Sequence, residues 1–213
     1  MHCSARPNGK PRSFQVVTPK SRKEAQPELS LGEWAVLGLL VAAPAHGFAL
    51  ARELKAEGRW GRIWTVPRPL VYRALSTLEA SELISMDRAE ISRLGPRRAV
   101  YQATPSGISS FGRWLSRPVV HYRDARSQLL LKLGFLSLRE ESAEALLNAQ
   151  LAVVEPMLEG LGEKVAIAEV FDRTLALWRF ESAQALVRFV ERLSADEAGA
   201  AAVRPGRRRP RRP

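Results

Sequence analysis

A chain of 213 residues with 46% apolar content can bury the core of one ordinary domain, or of two small ones that share it. Its formal charge of +11 points to a polyanionic partner, while a single cysteine, Cys3, excludes an intrachain disulfide and argues against a thiolate zinc site. There is no apolar run of about 18 residues and no apolar signal core at the N-terminus, so we expect a soluble protein of the reducing cytoplasm, with no membrane partner.

The charge is unevenly spread. Residues 1–28 hold six Lys/Arg and two Glu, residues 204–213 hold six Arg and no acid, and the span 29–203 is nearly neutral at +1. That neutrality hides a division, because 29–123 carries +6 and 124–203 carries −5. The front half is suited to a polyanion and the rear half is suited to something else.

Residues 1–28, rich in Pro, Ser, Lys and Arg, read as a disordered basic arm. Order should begin at "LSLGEW", where Ser30 and Glu33 form a capping-box pattern and Leu29 and Trp34 stand as a hydrophobic staple. This first helix runs through Val36, Leu37 and Leu40 and stops before Pro44. A second helix, "HGFALARELKAEG", places Phe48, Leu50, Ala51 and Leu54 on an apolar face, with Gly58 as its stop. The third begins near Pro67–Pro69 and ends near Ser81, with Val71, Ala74, Leu75 and Leu78 as its buried side. "ELISMDRAEI" and "RRAVYQAT", separated by "SRLGP", then change the period and read as a β-hairpin with a basic tip. Thr104-Pro105 caps a fourth helix through Phe111, Trp114 and Leu115.

Three helices followed by a two-stranded hairpin give the order of a winged helix-turn-helix, in which the third helix enters the DNA major groove. From Asp124 onward the chain reads as helical. "DARSQLLLKLG" has Asp124 as N-cap and Gly134 as its stop. A second capping-box pattern, Ser137 with Glu140, starts a longer helix that Pro156 should kink or end. In the last helix, about 166–194, Phe171, Leu175, Trp178, Ser182, Ala185 and Phe189 recur at heptad-like steps, and Leu177, Phe180, Val187 and Val190 form a second apolar stripe. Two stripes on one helix suggest that a partner subunit covers one of them. The fold class is thus mainly α: a winged helix-turn-helix over 29–118, a helical dimerisation region over 119–195, and a disordered Arg-rich tail over 196–213.

The strings "LSLGEWAVLGLL", "PAHGFALARELK", "PLVYRALSTLEASELI", "RRAVYQATPSG" and "ALWRFESAQALVRFVERL" resemble the PadR family of bacterial transcriptional regulators over about residues 29–194. The resemblance implies a homodimer that binds operator DNA through two winged domains, mostly as a repressor, and in some members is released by a small aromatic or drug-like effector. Where the family usually has glycine before the first wing strand, this chain has Glu82. A glycine there permits a tight turn with positive φ.

Arg68, Tyr72 and Arg73 are the candidate DNA contacts on the third helix, with Ser76 and Thr77 behind them. Arginine can grip guanine O6 and N7 or a phosphate, and tyrosine can give its hydroxyl to a phosphate. A solvated helix face is the plainer alternative, and the domain order favours DNA. Arg93, Arg97 and Arg98 flank the wing tip and would straddle the DNA backbone; the alternative is a loop kept soluble by arginine. The basic tails would add a sequence-independent term.

Trp34 and Trp178, with Trp114, suggest an aromatic effector site, although packing accounts for them more simply. Phe171, Leu175, Trp178 and Phe189 are the candidate dimer contacts. His2, His46 and His121 lack ligand spacing, so no metal is expected, and no phosphate loop, GxSxG elbow or HExxH sequence points to an enzyme or a cofactor. The rival to a DNA-binding regulator is a winged-helix module that docks another protein without specific DNA binding.

Overall fold

The computed structural model describes residues 28–90 and 98–203, so the basic arm, Arg93, Arg97 and the final arginines lie outside the described residues. Helix α1 (Leu31–Ala42) starts where the capping pattern puts it. Ser30 Oγ accepts from the Glu33 N–H at 3.3 Å, and Glu33 Oε2 accepts from the Ser30 N–H at 2.7 Å. Trp34, Val36, Leu37 and Leu40 pack inward. At Gly38 a Cβ would fall 2.5 Å from the Phe135 ring and 2.6 Å from the Phe111 ring, so glycine admits both rings to the helix.

Strand β1 (Ala45–His46) leads into α2 (Gly47–Leu54), whose N-cap is the His46 imidazole; its Nδ1 accepts from the Ala49 N–H at 3.0 Å. The core face of α2 is Gly47, Leu50, Ala51 and Leu54. Two expectations fail here. The helix stops at Leu54 rather than at Gly58, which lies in the following turn and donates to the Lys55 carbonyl at 2.8 Å. Phe48, one step round from the buried face, stands 46% exposed.

Helix α3 (Arg68–Ala80) ends in a Schellman turn. Glu82 N–H donates to the Glu79 carbonyl at 3.0 Å and Leu83 N–H to the Leu78 carbonyl at 2.9 Å. Glu82 takes φ 56, so a glutamate adopts the left-handed turn that a glycine would adopt freely. The exit then launches β2 (Ile84–Glu90), antiparallel to β3 (Arg98–Ala103), with Ile84 opposite Ala103 and a bulge at Asp87. Strand β1 adds to the other edge of β3, giving a three-stranded sheet in the order β1-β3-β2 that the two-stranded expectation missed. Thr104 locks the base of the wing: its hydroxyl donates to the Glu82 carbonyl at 2.7 Å and accepts from Gly107 N–H at 3.1 Å, capping α4 (Pro105–Ser116).

Behind this, a 3-10 turn (Tyr122–Asp124) and a π-helical turn (Ala125–Leu129) run into α5 (Leu130–Leu138). Asp124 makes no side-chain cap, and Gly134 lies inside α5 because Trp60 packs there; a Cβ on it would sit 2.9 Å from the Trp60 ring. Ser137 and Glu140 do not begin a helix. They end α5 in a second Schellman turn, with Glu140 at φ 55 and Glu141 N–H donating to the Leu136 carbonyl at 3.0 Å. The long α6 (Glu144–Ile167) starts later and continues through Pro156, which does not end it. It packs along α7 (Val170–Val203), where Ala176, Ala183, Leu186 and Val190 are buried.

Both halves share one hydrophobic core, and two buried polar residues pin the segment between them. Gln150 of α6 accepts from Val119 N–H at 2.8 Å and donates to the Val119 carbonyl at 2.9 Å. Lys132 of α5, with no exposed surface, donates to the Arg117 carbonyl and lies 4.8 Å from the centre of the Trp114 ring.

The turn at Glu82 and the ammonium of Lys132 each lead to a stability prediction. Glu82→Gly should raise the unfolding free energy by about 0.5–1 kcal/mol, the left-handed penalty less the extra freedom of glycine when unfolded. A denaturation midpoint that stays or falls would mean the glutamate side chain contributes more than its backbone costs. Burial, helped by the nearby Arg117 charge, pulls the Lys132 pKa from its ordinary 10.5 down to about 8. Between these values the unfolded chain binds the extra proton, so stability rises with pH through that window. Wild type should therefore gain on the order of 1–3 kcal/mol relative to Lys132→Met on going from about pH 7 to pH 10. Parallel pH profiles for the two proteins would contradict the assignment.

Candidate nucleic-acid interface

Helix α3 is presented by its packing. Val71, Ala74, Leu75 and Leu78 are buried, which leaves Arg68, Tyr72, Arg73 and Ser76 exposed along the opposite side and Thr77 at the margin. The turn before it is fastened twice. Val66 N–H donates to the Leu54 carbonyl at 2.9 Å, and the Trp60 ring stacks on Phe135 of α5 at 4.1 Å. The candidate reading face is therefore braced by the rear half of the molecule.

Among the described residues, neither Arg68 nor Arg73 makes an ion pair with a carboxylate. The Arg68 guanidinium instead lies 5.7 Å from the ring centres of both Phe48 and Tyr72. The hydroxyls of Ser76 and Thr77 donate back to the carbonyls of Tyr72 and Arg73, at 3.2 and 3.1 Å, and keep their lone pairs for an outside donor. Arg98, at the start of β3, is exposed and reaches over the same Phe48 ring at 5.5 Å.

These groups surround a cleft of about 500 Å³ whose lining includes His46, Phe48, Arg68, Tyr72, Arg98 and Tyr101. The Tyr101 phenol is raised above its ordinary value of 10, first by burial and then by the Glu79 and Tyr72 charges.

Arg68, Tyr72, Arg73, Ser76 and Arg98 thus share one side of the front half. Phe48 was missed as a member of this group. Its signal was available in the spacing: with Gly47, Leu50 and Leu54 inward, position 48 cannot also face the core.

Trp34 and Trp178 are not brought together. Trp34 is buried and stacked on Trp114 with ring centres 5.1 Å apart, whereas Trp178 is 69% exposed on α7. Of the proposed dimer contacts, Phe171 and Phe189 are exposed and Leu175 is half-buried. Phe180, Val187 and Val190 from the second stripe pack on the chain's own core, while Leu177 remains exposed. Among the described residues no group of three or more His, Cys, Asp or Glu could hold a metal ion, and no helix is long and apolar enough to cross a membrane.

No curated protein matches the chain. Among solved structures, Bacillus subtilis PadR in complex with operator DNA is similar at 22% identity and TM-score 0.41, over 79% of this chain and 99% of that one. A PadR-like transcription factor from Bacteroides fragilis is similar at 27% identity and TM-score 0.33, over 38% of this chain and 73% of that one. Residues 36–113, from α1 into α4, match the Transcriptional regulator PadR-like family. The match spans 78 of the 213 residues, so it is the segment from α1 into α4 that is similar to this family of transcriptional regulators.

Proposed function

We propose that the protein is a sequence-specific DNA-binding regulator, acting in the cytoplasm as a homodimeric repressor on operator DNA. The observation that carries this reading is the outward set of Arg68, Tyr72 and Arg73 on α3, its two guanidinium groups without a carboxylate partner among the described residues. Arginine in the major groove discriminates guanine by a paired grip on O6 and N7, Tyr72 suits a phosphate oxygen, and the Ser76 lone pairs suit a donor on a base edge. Arg98, and with it Arg93 and Arg97 at the wing tip, would orient the module along the backbone. In this division of labour residues 29–118 read DNA and residues 119–195 hold two copies together.

Dimerisation would run through the outer stripe of α7, where Phe171, Trp178 and Phe189 are exposed beside Leu175. Two copies would set their α3 helices about one helical turn of DNA apart, or a multiple of it. Release by a small aromatic effector belongs to the same proposal. Trp178 offers the indole for it, since Trp34 is enclosed by packing. Such a ligand must bind the two dimer arrangements with different affinity, or it could not shift DNA binding.

A gel-shift on genomic fragments that include the upstream region of the gene itself tests the reading. Salt-sensitive, fragment-selective retardation is expected; none on any fragment would favour a module that docks another protein. Arg73→Ala or Tyr72→Ala should weaken operator binding by on the order of 1–3 kcal/mol while the thermal midpoint hardly moves. A large fall in the midpoint at unchanged affinity would reassign both residues to the core. For the assembly, Trp178→Glu should yield monomers in sedimentation, and a persisting dimer would put the interface elsewhere.

A further inference from the structure

We propose that Phe48 is the positioning residue of a two-arginine clamp for the phosphodiester backbone of duplex DNA, its ring holding Arg68 of α3 and Arg98 of β3 beside one another. The clamp rests on the DNA-binding reading above and extends it to a residue outside the recognition helix.

Phe48 projects from the first turn of α2 and is 46% exposed, although Leu50, Ala51 and Leu54 of the same short helix are buried. A phenyl ring left in water at that position contributes little to the core. Apart from the His46 imidazole, centred 6.3 Å away, what it meets is charge. The guanidinium carbons of Arg68 and Arg98 lie 5.7 and 5.5 Å from its centre, so they can be no farther apart than those two distances together, about 11 Å. Each cation is drawn to the negative face of the ring. No carboxylate neutralises either of them among the described residues.

Two like charges gathered around one ring, neither in an ion pair with a carboxylate among the described residues, form a site that a polyanion completes. A separation of at most about 11 Å keeps both guanidinium groups within reach of one stretch of strand no more than a few nucleotides long, the axial rise being about 3.4 Å per nucleotide. The two arginines also come from different parts of the motif, one from the helix that would enter the groove and one from the wing. Phe48 bridges them, so the wing's grip on the backbone and the helix's depth in the groove are set together. Arginine side chains are long and lose much freedom on binding; a ring that holds both in advance removes part of that cost. Tyr72 shares the Arg68 guanidinium at 5.7 Å and keeps it on the groove side of the clamp.

The test uses the full chain and a fluorescent mixed-sequence duplex of about 30 base pairs, since phosphate contacts do not depend on sequence. Phe48→Leu and, as a second apolar variant, Phe48→Met should weaken binding on the order of tenfold. They should also lower the slope of log affinity against log salt by about 0.9 for each phosphate no longer neutralised. The thermal midpoint should stay in place. Phe48→Tyr and Phe48→Trp, which retain a ring face, should bind as wild type does. Arg98→Ala should cost less in the F48L background than alone. Wild-type affinity and salt slope in both apolar variants, with Arg98→Ala still weakening binding, would overturn the clamp and leave the regulator reading intact. Absence of salt-sensitive binding by the wild type would overturn both.

Discussion

The front half of the molecule takes its bearing from the buried polar joint at Arg117–Val119. Gln150 satisfies both the N–H and the carbonyl of Val119, and Lys132 takes the Arg117 carbonyl while its ammonium rests against Trp114. A buried backbone group left without a partner costs about 1–3 kcal/mol, so this segment cannot swing away from α5 and α6 without a large penalty. Trp60 supplies a second point of attachment by stacking on Phe135. The winged half is therefore not tethered on a loose linker. The turn before α3 and the exit from α4 are both seated on the rear helices.

The same logic explains why α3 can be so polar on one side. Four buried residues within two turns, Val71, Ala74, Leu75 and Leu78, are enough to hold it against the rest of the core. The remaining positions are then free of packing duty and can be chosen for charge. Thr104 closes the arrangement by bonding the Glu82 carbonyl, which fixes the base of the wing to the end of α3. Arg68 and Arg98 meet at Phe48 because their elements are joined at that base and again along β1 and β3.

Much of the front half was legible in the sequence, and the reasons for the failures are physical. Ser30 and Glu33 show the same spacing as Ser137 and Glu140, yet the first pair opens a helix and the second closes one. A capping box needs an extended residue at its start, and Ser30 has that freedom. Ser137 follows Phe135 and Leu136, whose burial keeps the backbone helical up to Leu138. Gly134 failed as a stop for a related reason, since the Trp60 ring makes its missing side chain a packing requirement rather than a turn signal. Strand β1 is two residues long, too short for any alternation to register. Of the site, the residues of α3 followed from the complement of the core face, but Phe48 was read as core because apolar character was given more weight than angular position.

Helix α7 poses the remaining question in energetic form. Its inner stripe uses small residues, Ala176 and Ala183, beside Leu186 and Val190, which lets α6 approach closely. Its outer stripe carries the large rings of Phe171, Trp178 and Phe189. Each such ring can bury roughly 150–250 Å², and at about 25 cal/mol per Å² an uncovered set forgoes several kcal/mol. A helix that needed only to cover α6 would gain nothing from rings on its far side. With the joint at Arg117–Val119 holding each winged half in place, a second copy laid on that stripe would convert a contact between two α7 helices into a defined separation between two α3 helices. Small displacements across the outer stripe would then be read at the DNA as changes in spacing, which is the quantity a paired groove contact discriminates most sharply.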